Sequence, residues 1–274
     1  MQTAVITHLR CPVCREPLAP AEHALRCPRG HSFDIARQGY ADLTAGRPVH
    51  TGDTAEMVVA REALLTAGHF AALSTAVAAL VAGEPPGLVV EVGAGTAHYL
   101  AAALGPDRDG LAVDTSKAAL KRAAQAHGRI GAVRADIWQG LPLADDTAAV
   151  VLDIFAPRSG AEFARVLAPG GALVVATPAA GHLAELVTAL GLITVDPAKE
   201  ERLHKSLDQW FVRTGRHRVR DPLGLTRAEA EALVGMGPSA WHTDPDTIRA
   251  TIAAMPEPIT ATLDVDLSVW RPYI

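Results

Sequence analysis

Five short apolar runs between residues 86 and 178 alternate with alanine-rich helical segments. Apolar runs of this length, bounded by turn residues, are typical of buried strands in a parallel sheet. Because strands and helices alternate, the pattern predicts an α/β fold, a mostly parallel sheet with helices on both faces. The predicted strands cover residues 89–92, 111–114, 130–135, 150–153 and 172–176.

The segments on either side of this region follow other patterns. Residues 51–85 predict two helices, the first capped by Asp53 or Thr54 and ended by Gly68, so we treat them as a helical connector. Residues 260–270 alternate between apolar and polar side chains, as an antiparallel strand does. The sheet is therefore expected to end in an antiparallel strand.

Polar residues and glycines stand at or just after the ends of the predicted strands. In a parallel sheet these ends meet at one edge, where open α/β sheets bind their ligands. The coincidence of several such residues at one edge is stronger evidence for a ligand site than any one motif. They are Glu91, Gly93, Gly95, Asp114, Asp136, Asp153 and Thr177.

The turn after the first predicted strand has the composition of a nucleotide-binding turn. Gly93 and Gly95 stand one residue apart between an acid and a helical segment, so the backbone can approach a ligand closely. Our first interpretation is a site for the adenosyl end of S-adenosylmethionine, and the alternative is a tight turn with no ligand. Asp114 is placed to accept hydrogen bonds from both ribose hydroxyls, and Asp136, with two apolar residues after it, suits the adenine.

A dinucleotide-dependent dehydrogenase shares the glycine turn and the acid that follows it. Its third glycine is expected at position 98, where this chain has His98. The loop at Asp136, the loop from Asp153 to Pro157 and the turn at 167–171 instead resemble class I S-adenosylmethionine-dependent methyltransferases. The sequence therefore favours methyl transfer over hydride transfer.

Composition sets broad limits on the class of protein. The chain has 274 residues, a net charge of −5 and 49% hydrophobic residues, which suits one large domain with a small module. We find no apolar run long enough to cross a bilayer and no signal-peptide pattern, so we expect a soluble cytoplasmic protein with no membrane partner. The mildly acidic total argues weakly against indiscriminate nucleic-acid binding.

All three cysteines lie within the first 27 residues. Cys11 and Cys14 form one close pair, and Cys27 and His31 form a second after twelve intervening residues. Two ligand pairs separated by a loop match tetrahedral zinc, and no open coordination position is visible, so we predict a structural Zn²⁺ site. The alternative is three structural or redox cysteines beside an incidental histidine. An odd number of cysteines at one end is a poor disulfide framework.

The N-terminal fifty residues carry more arginines than acids, although the whole chain is acidic. This is the sign expected of a part that contacts RNA phosphates. Phe33 and Tyr40 could pack the small zinc core or stack on a nucleobase, and the core interpretation is preferred. A second basic run at 213–220 is equally consistent with a solvated strand edge and with an RNA contact.

Segments along nearly the whole chain form one recognisable series. They are Cys11–His31, Phe33–Tyr40, Gly52–Met57, Ala67–Phe70, Asp114–Lys117, Phe155–Pro157, Thr177–Pro178, His182–Leu186 and Ser239–Trp241. In this order they resemble the RlmA family of 23S rRNA guanine-N1 methyltransferases. Residues 34–40, 184–192 and 236–239 are similar to its TlrB-type branch, which is associated with tylosin resistance.

The resemblance implies a class I S-adenosylmethionine-dependent methyltransferase fold, Rossmann-like, with a small zinc-binding module in front. We place the rRNA-recognition module at 1–47 and the methyltransferase domain at 48–274. The family methylates guanine N1 in hairpin 35 of 23S rRNA, at position 748 or 745, which contributes to macrolide resistance in this branch, and its members are homodimers. Its cofactor contacts fall on Phe70, Thr96, Ala97, His98 and His182, and Ala97 departs from the glycine usual in the family.

Guanine N1 carries a proton that must leave before it can accept a methyl group. We predict Asp153 as the proton acceptor, against a purely structural role at its strand end, and Phe155 as a stacking partner for a flipped guanine. The alternative functions are a small-molecule methyltransferase of natural-product biosynthesis and a non-catalytic rRNA-binding protein. The zinc module disfavours the first, and the intact cofactor residues disfavour the second.

Overall fold

The computed structural model describes residues 3–47, 49–192, 199–236 and 244–273. Ser239–Trp241, which contributes to the family resemblance, lies outside the described residues. The strands are β1 (Ala19–Ala21), β2 (Ala24–Arg26), β3 (Ser32–Asp34), β4 (Tyr40–Asp42), β5 (Leu88–Val92), β6 (Gly110–Asp114), β7 (Ile130–Arg134), β8 (Ala148–Ile154), β9 (Leu167–Pro178), β10 (Phe211–Leu225) and β11 (Ile259–Pro272).

Several helices begin where the sequence supplies a side-chain cap. Thr54, Ser116 and Thr226 each accept a hydrogen bond from the backbone N–H three residues on, an interaction that stabilises a helix by about 1 kcal/mol. The helices are α1 (Thr3–Ile6), α2 (Ala55–Thr66), α3 (Ala71–Ala82), α4 (His98–Ala103), α5 (Lys117–Ala126), α6 (Gly160–Val166), α7 (Ala184–Leu190), α8 (Lys199–Leu207), α9 (Arg227–Gly235) and α10 (Pro245–Ala253).

An eight-stranded sheet runs through the molecule in the order β10-β11-β9-β8-β5-β6-β7-β4. The six strands from β9 to β4 are parallel, and β11 and β10 are antiparallel to their neighbours. The predicted α/β fold, with an antiparallel end to its sheet, is confirmed. The strand order reverses at β5, and this leaves a crevice beside the carboxyl end of that strand.

The N-terminal module is joined to the central sheet by backbone pairing. Strands β1 to β3 form a small antiparallel sheet, whereas β4 pairs in parallel with β7, with Tyr40 opposite Ala132. The sequence did not predict β4, because three residues are too few to display a strand period. The domain division after residue 47 stays a prediction, and it falls after a strand of the central sheet.

Two clusters of buried side chains cover the two faces of the central sheet. One joins Leu9 and Phe33 of the N-terminal module with Leu111, Phe163 and Trp270. Burial of a large apolar side chain stabilises the folded state by roughly 1.5–3 kcal/mol, so the module and the sheet stabilise each other through this shared cluster. The packing interpretation of Phe33 is confirmed, because its side chain is buried here.

Within the described ranges, no single helix is long and apolar enough to cross a membrane. Helices α2 and α3 reach that length and hydropathy only when taken together, across a bend of 82°.

Candidate active site and metal centre

Cys11, Cys14, Cys27 and His31 converge in the N-terminal module. All four potential ligand atoms lie within 4.8 Å of one another. The Sγ atoms of Cys14 and Cys27 are 3.6 Å apart, and Nδ1 of His31 is 3.6 Å from Sγ of Cys11 and 3.3 Å from that of Cys27. A tetrahedral zinc ion requires about 3.8 Å between two sulfurs and about 3.6 Å between sulfur and nitrogen. The four residues therefore fit zinc, with Nδ1 of His31 as the ligand atom facing the thiols.

Tight turns aim the four ligand atoms inward. Arg15 and Gly30, which follow the two Cys-Pro turns, both adopt positive φ angles of 63° and 84°. The backbone N–H of Arg15 donates to the carbonyl of Cys11, and that of Gly30 donates to the carbonyl of Cys27. The side chain of Arg15 donates to the carbonyls of Leu141 and Leu143 at 2.9 and 2.8 Å, so it connects the metal module to the segment between β7 and β8.

A cavity of about 620 Å³ opens at the carboxyl ends of β5, β8 and β9. Its volume and its position at the reversal of strand order are those of a small-molecule site. Of the predicted site residues, Phe70, Glu91, Gly93, Gly95, Thr96, His98, Phe155 and His182 line this cavity, and Ala97, Asp114, Asp136 and Asp153 do not.

The glycine turn keeps the cavity open beside β5. Gly93 has a φ of 66°, and a Cβ there would stand 2.6 Å from the Cβ of Ala156. Ala97 is fully buried and also left-handed, with a φ of 61°, at the point where relatives are expected to carry glycine. A non-glycine residue in this conformation costs roughly 1–2 kcal/mol, so the surrounding turn must hold Ala97 in place.

Glu91 supplies a buried carboxyl group to the cavity wall. Its Oε2 accepts a hydrogen bond from the N–H of Leu100 at 3.1 Å, and none of the described residues forms a salt bridge with it. Burial raises the pKa of Glu91 to about 8. S-adenosylmethionine carries a sulfonium and an ammonium group, and a carboxyl without a cationic partner suits such a ligand. The residues present therefore fit this cofactor.

Asp114 holds the glycine turn and the start of α5 in place. Its Oδ2 accepts from the N–H of Gly95 at 2.8 Å, and its Oδ1 accepts from the N–H of Ser116 at 2.7 Å. Burial raises the pKa of Asp114. The carboxylate thus already shapes the turn, and its contact with the ribose stays a prediction.

Asp136 is engaged by a residue distant in sequence. Its Oδ2 accepts from Nδ1 of His50 at 2.7 Å and from the backbone N–H of His50 at 3.1 Å, while Oδ1 accepts from the N–H of Trp138. Burial acts to raise the pKa of Asp136, but the bonds from His50 outweigh it and hold that pKa below its usual value. Its contact with adenine stays a prediction.

His98 and Phe70 meet through Ser74 on α3. The hydroxyl of Ser74 donates to the carbonyl oxygen of Phe70 at 3.2 Å and lies 3.0 Å from Nε2 of His98. The hydroxyl of Ser74 therefore connects the imidazole of His98 to the backbone of Phe70. Burial lowers the pKa of His98, so the ring is neutral at pH 7. Two predicted cofactor residues on different helices are thus held in fixed relation.

The predicted catalytic residues take different places around the cavity. Phe155 lines it with 37% of its surface exposed, and its ring centroid is 6.0 Å from that of His182. Asp153 is fully buried, and burial raises its pKa to about 6. Its Oδ2 accepts from Nε of Arg158 at 2.7 Å, and its Oδ1 accepts from the N–H of Ala156. The carboxyl therefore does not face the cavity, and Arg158 lies beside it at the wall.

Sequence reasoning missed the charged and aromatic groups that complete the lining. Arg61, Tyr99, Arg158 and Arg202 all line the cavity. For Arg158 a signal was present, because it directly follows the Phe155–Pro157 loop that was singled out. For Arg61 and Arg202 none was visible, since each comes from a helix far from the glycine turn in sequence.

Comparison with known proteins agrees with this geometry. Residues 9–51 match the family described as "RlmA, N-terminal", and residues 90–175 match a "Methyltransferase domain". A Streptomyces fradiae protein named 23S rRNA (guanine(748)-N(1))-methyltransferase is 46% identical over 279 residues, covering 99% of each chain. A Micromonospora griseorubida protein, assigned by name as a 23S rRNA (guanine-N(1)-)-methyltransferase, is 54% identical over 99% of this chain and 100% of its own.

The similarity to solved structures supports the fold alone. The YcgJ protein from Bacillus subtilis superposes with a TM-score of 0.51 at 15% identity, over 74% of this chain and 98% of that one. The mostly parallel sheet, the cavity at its strand ends and the preceding Cys/His cluster define a class I S-adenosylmethionine-dependent methyltransferase with an N-terminal zinc ribbon. The chain belongs to the RlmA family. The choice between methyl transfer and hydride transfer is settled in favour of methyl transfer.

Proposed function

We propose that this protein transfers the methyl group of S-adenosylmethionine to N1 of a guanine in hairpin 35 of 23S rRNA, at position 748, and that it thereby contributes to macrolide resistance. One observation carries the proposal. The Streptomyces fradiae enzyme, named for guanine 748, is similar across 99% of both chains, so the zinc ribbon and the methyltransferase domain are shared together. A metabolite-methylating enzyme would need no separate reader for RNA.

S-adenosylmethionine supplies a methyl group already activated on sulfur, so the protein has mainly to align donor and acceptor. We assign cofactor binding to Phe70, the turn at Gly93 and Gly95, and the carboxyl of Glu91. All of them line the cavity, and Phe70 and Glu91 are buried in its wall. Asp114, Asp136 and His182 complete the proposed cofactor set, of which His182 lines the cavity and the two acids do not.

Phe155 is proposed to stack on the target guanine. Its ring is the exposed aromatic surface of the cavity, and its φ of 56° projects it from the end of β8. Stacking on an aromatic side chain contributes roughly 1–3 kcal/mol per base, enough to hold an extruded guanine near the methyl group.

The zinc ribbon is proposed to recognise the rRNA hairpin, and the protein is proposed to act as a homodimer in the cytoplasm, where ribosomes are built. The ribbon is connected to the methyltransferase domain by the bonds from Arg15 to the segment between β7 and β8 and by the pairing of β4 with β7. A rigid connection of this kind keeps a constant distance between an RNA-reading surface and the cavity.

Primer extension on 23S rRNA tests the proposal. N1-methylguanine cannot form its Watson–Crick pair, so reverse transcriptase stops one nucleotide before it. We expect a stop in hairpin 35 in cells that express the protein and none in cells that lack it.

Two glycine variants sharpen the same experiment. Gly93→Ala places a methyl group 2.6 Å from the Cβ of Ala156 and should abolish the stop, whereas Gly105→Ala meets nothing within 4 Å and should keep it. Absence of a protein-dependent stop anywhere in 23S rRNA would refute the proposal and favour a small-molecule acceptor.

A further inference from the structure

Arg158 is the basic residue closest in sequence to Phe155, the proposed stacking partner of the guanine. It lies three residues after Phe155, the two side chains line the same cavity, and 19% of the Arg158 side chain is exposed. The left-handed conformation of Phe155 turns the chain at the end of β8, so that Arg158 folds back towards its own strand. The guanidinium and the aromatic ring thus share one wall.

Asp153 fixes the orientation of this guanidinium. The Nε–H donates to Oδ2 of Asp153 at 2.7 Å, and Nη2 lies 3.4 Å from the carbonyl oxygen of Ala156. Nη1 makes no hydrogen bond to any described residue. The Arg158 guanidinium is held on one side by the buried carboxylate of Asp153, and its Nη1 group still has N–H donors available. It is therefore preorganised to donate hydrogen bonds to an oxygen atom in the cavity.

Guanine has such an oxygen beside the methylated atom. Loss of the N1 proton leaves a negative charge that is shared between N1 and O6. A cation or hydrogen-bond donor at O6 therefore stabilises the deprotonated base and makes N1 nucleophilic at neutral pH. Protein donors aimed at developing negative charge are among the largest contributions to catalysis.

We infer that Arg158 is a catalytic residue which binds O6 of the target guanine and promotes loss of the N1 proton, and that Asp153 is the positioning residue that holds it. The inference rests on the proposed function. It replaces direct proton transfer to Asp153, because a carboxyl that is fully buried behind Arg158 has no path to N1.

Methyl transfer to N1 needs no reactant besides the guanine, S-adenosylmethionine and water. The N1–H bond breaks, its proton passes to water at the mouth of the cavity, and the charge left on the base is shared with O6 next to Arg158. The N1 electron pair then forms the bond to the methyl carbon, and the electron pair of the broken sulfur–carbon bond remains on sulfur. Other ionisable groups that face the cavity from neighbouring elements are Arg61, Glu91, His98, Tyr99, His182 and Arg202.

Single-turnover methylation of a hairpin 35 RNA by the purified protein tests the inference. We expect Arg158→Met to slow methyl transfer by roughly 100-fold or more at pH 7.5, as loss of one charge-stabilising donor does elsewhere. The apparent pKa of the rate should rise towards that of free guanine in this variant. The rate of Arg158→Lys, which keeps a cation for Asp153, should fall between the rates of wild type and Arg158→Met.

An altered substrate separates a chemical role from a structural one. RNA with 2-aminopurine at the target position has no O6 and no N1 proton, so Arg158 has nothing to stabilise. The ratio of wild-type to Arg158→Met rates should approach one on this RNA. Arg122→Met, which removes an arginine on α5 paired with Glu62, is the matched control and should leave both rates unchanged.

Two results would overturn the inference. One is an Arg158→Met rate and pH profile equal to wild type on guanine RNA, and the other is the same rate ratio on both RNAs. In either case the wild-type protein still methylates guanine, so the proposed function stands. Failure of the wild-type protein itself would instead count against the proposed function.

Discussion

Replacing Glu91 with glutamine should remove a pH-dependent decrease in the free energy of unfolding. Glu91 is 1% exposed, and burial raises its pKa from an ordinary 4.5 to about 8. The folded state therefore keeps the proton over a range in which the unfolded chain has lost it. As pH rises from about 4.5 towards 8, unfolding releases that proton and becomes more favourable, so wild-type stability falls across this window.

The pKa change fixes an upper bound on the effect. A rise in the pKa of Glu91 from 4.5 to about 8 lowers the free energy of unfolding by roughly 5 kcal/mol at alkaline pH. Local rearrangement around an ionised carboxylate relieves part of this cost, so we expect roughly 2–4 kcal/mol between pH 5 and pH 9. Glutamine keeps an oxygen for the N–H of Leu100 and carries no charge. Glu91→Gln should thus match wild type near pH 5 and exceed it increasingly above pH 6.

Urea unfolding followed by circular dichroism at constant ionic strength, in steps from pH 5 to pH 9, measures the difference. Glu162→Gln is the control, because hydrogen bonds from Arg165 outweigh burial and lower the pKa of Glu162. Its stabilising contribution is lost only at more acidic pH, so this variant should be less stable by a constant amount across the range. A wild-type minus Glu91→Gln difference that does not change with pH would refute the reasoning.

Three further substitutions test separate parts of the structure. Cys27→Ser should abolish stoichiometric zinc by atomic absorption and lower the free energy of unfolding by roughly 3 kcal/mol or more; unchanged metal content would contradict the ligand assignment. Ala97→Gly relieves about 1–2 kcal/mol of backbone strain but loses a buried methyl group and gains unfolded-state entropy, so the free energy of unfolding in urea should stay within about 1 kcal/mol of wild type. A larger change in either direction would show that the turn is held differently. Arg15→Met removes two hydrogen bonds to Leu141 and Leu143 and should cost about 2 kcal/mol in the same measurement, with an unaltered midpoint as the opposing result.

Sequence predicted the parts of this structure that depend on neighbouring residues. The buried strands, the capped start of α2 at Thr54 and the glycine turn at Gly93 each carry their signal within a few positions. Parallel strands place their carboxyl ends together by geometry, so residues far apart in sequence could be assigned to one edge without any knowledge of packing.

The features that the sequence did not predict depend on contacts between distant residues or on backbone conformation. His50 and Asp136 are 86 positions apart, and no local pattern announces that they pair. Arg158 is only five positions from Asp153, yet the two meet because Phe155 adopts a left-handed conformation that propensity disfavours. Strand β4 adopts its conformation because β7 offers a free edge, which is likewise a tertiary cause.

The pairing of β4 with β7 connects zinc binding in the N-terminal module to the stability of the central sheet. This edge strand begins nine residues after His31, and the cysteine ligands Cys11 and Cys27 belong to the same apolar cluster as Val90 and Leu111 of the sheet. A ligand that binds only the folded state stabilises everything that folds with it, in proportion to the logarithm of its free concentration. Zinc bound to the ribbon is thus expected to stabilise the β4 edge of the sheet as well. In a cell depleted of zinc, we therefore expect a smaller fraction of folded methyltransferase.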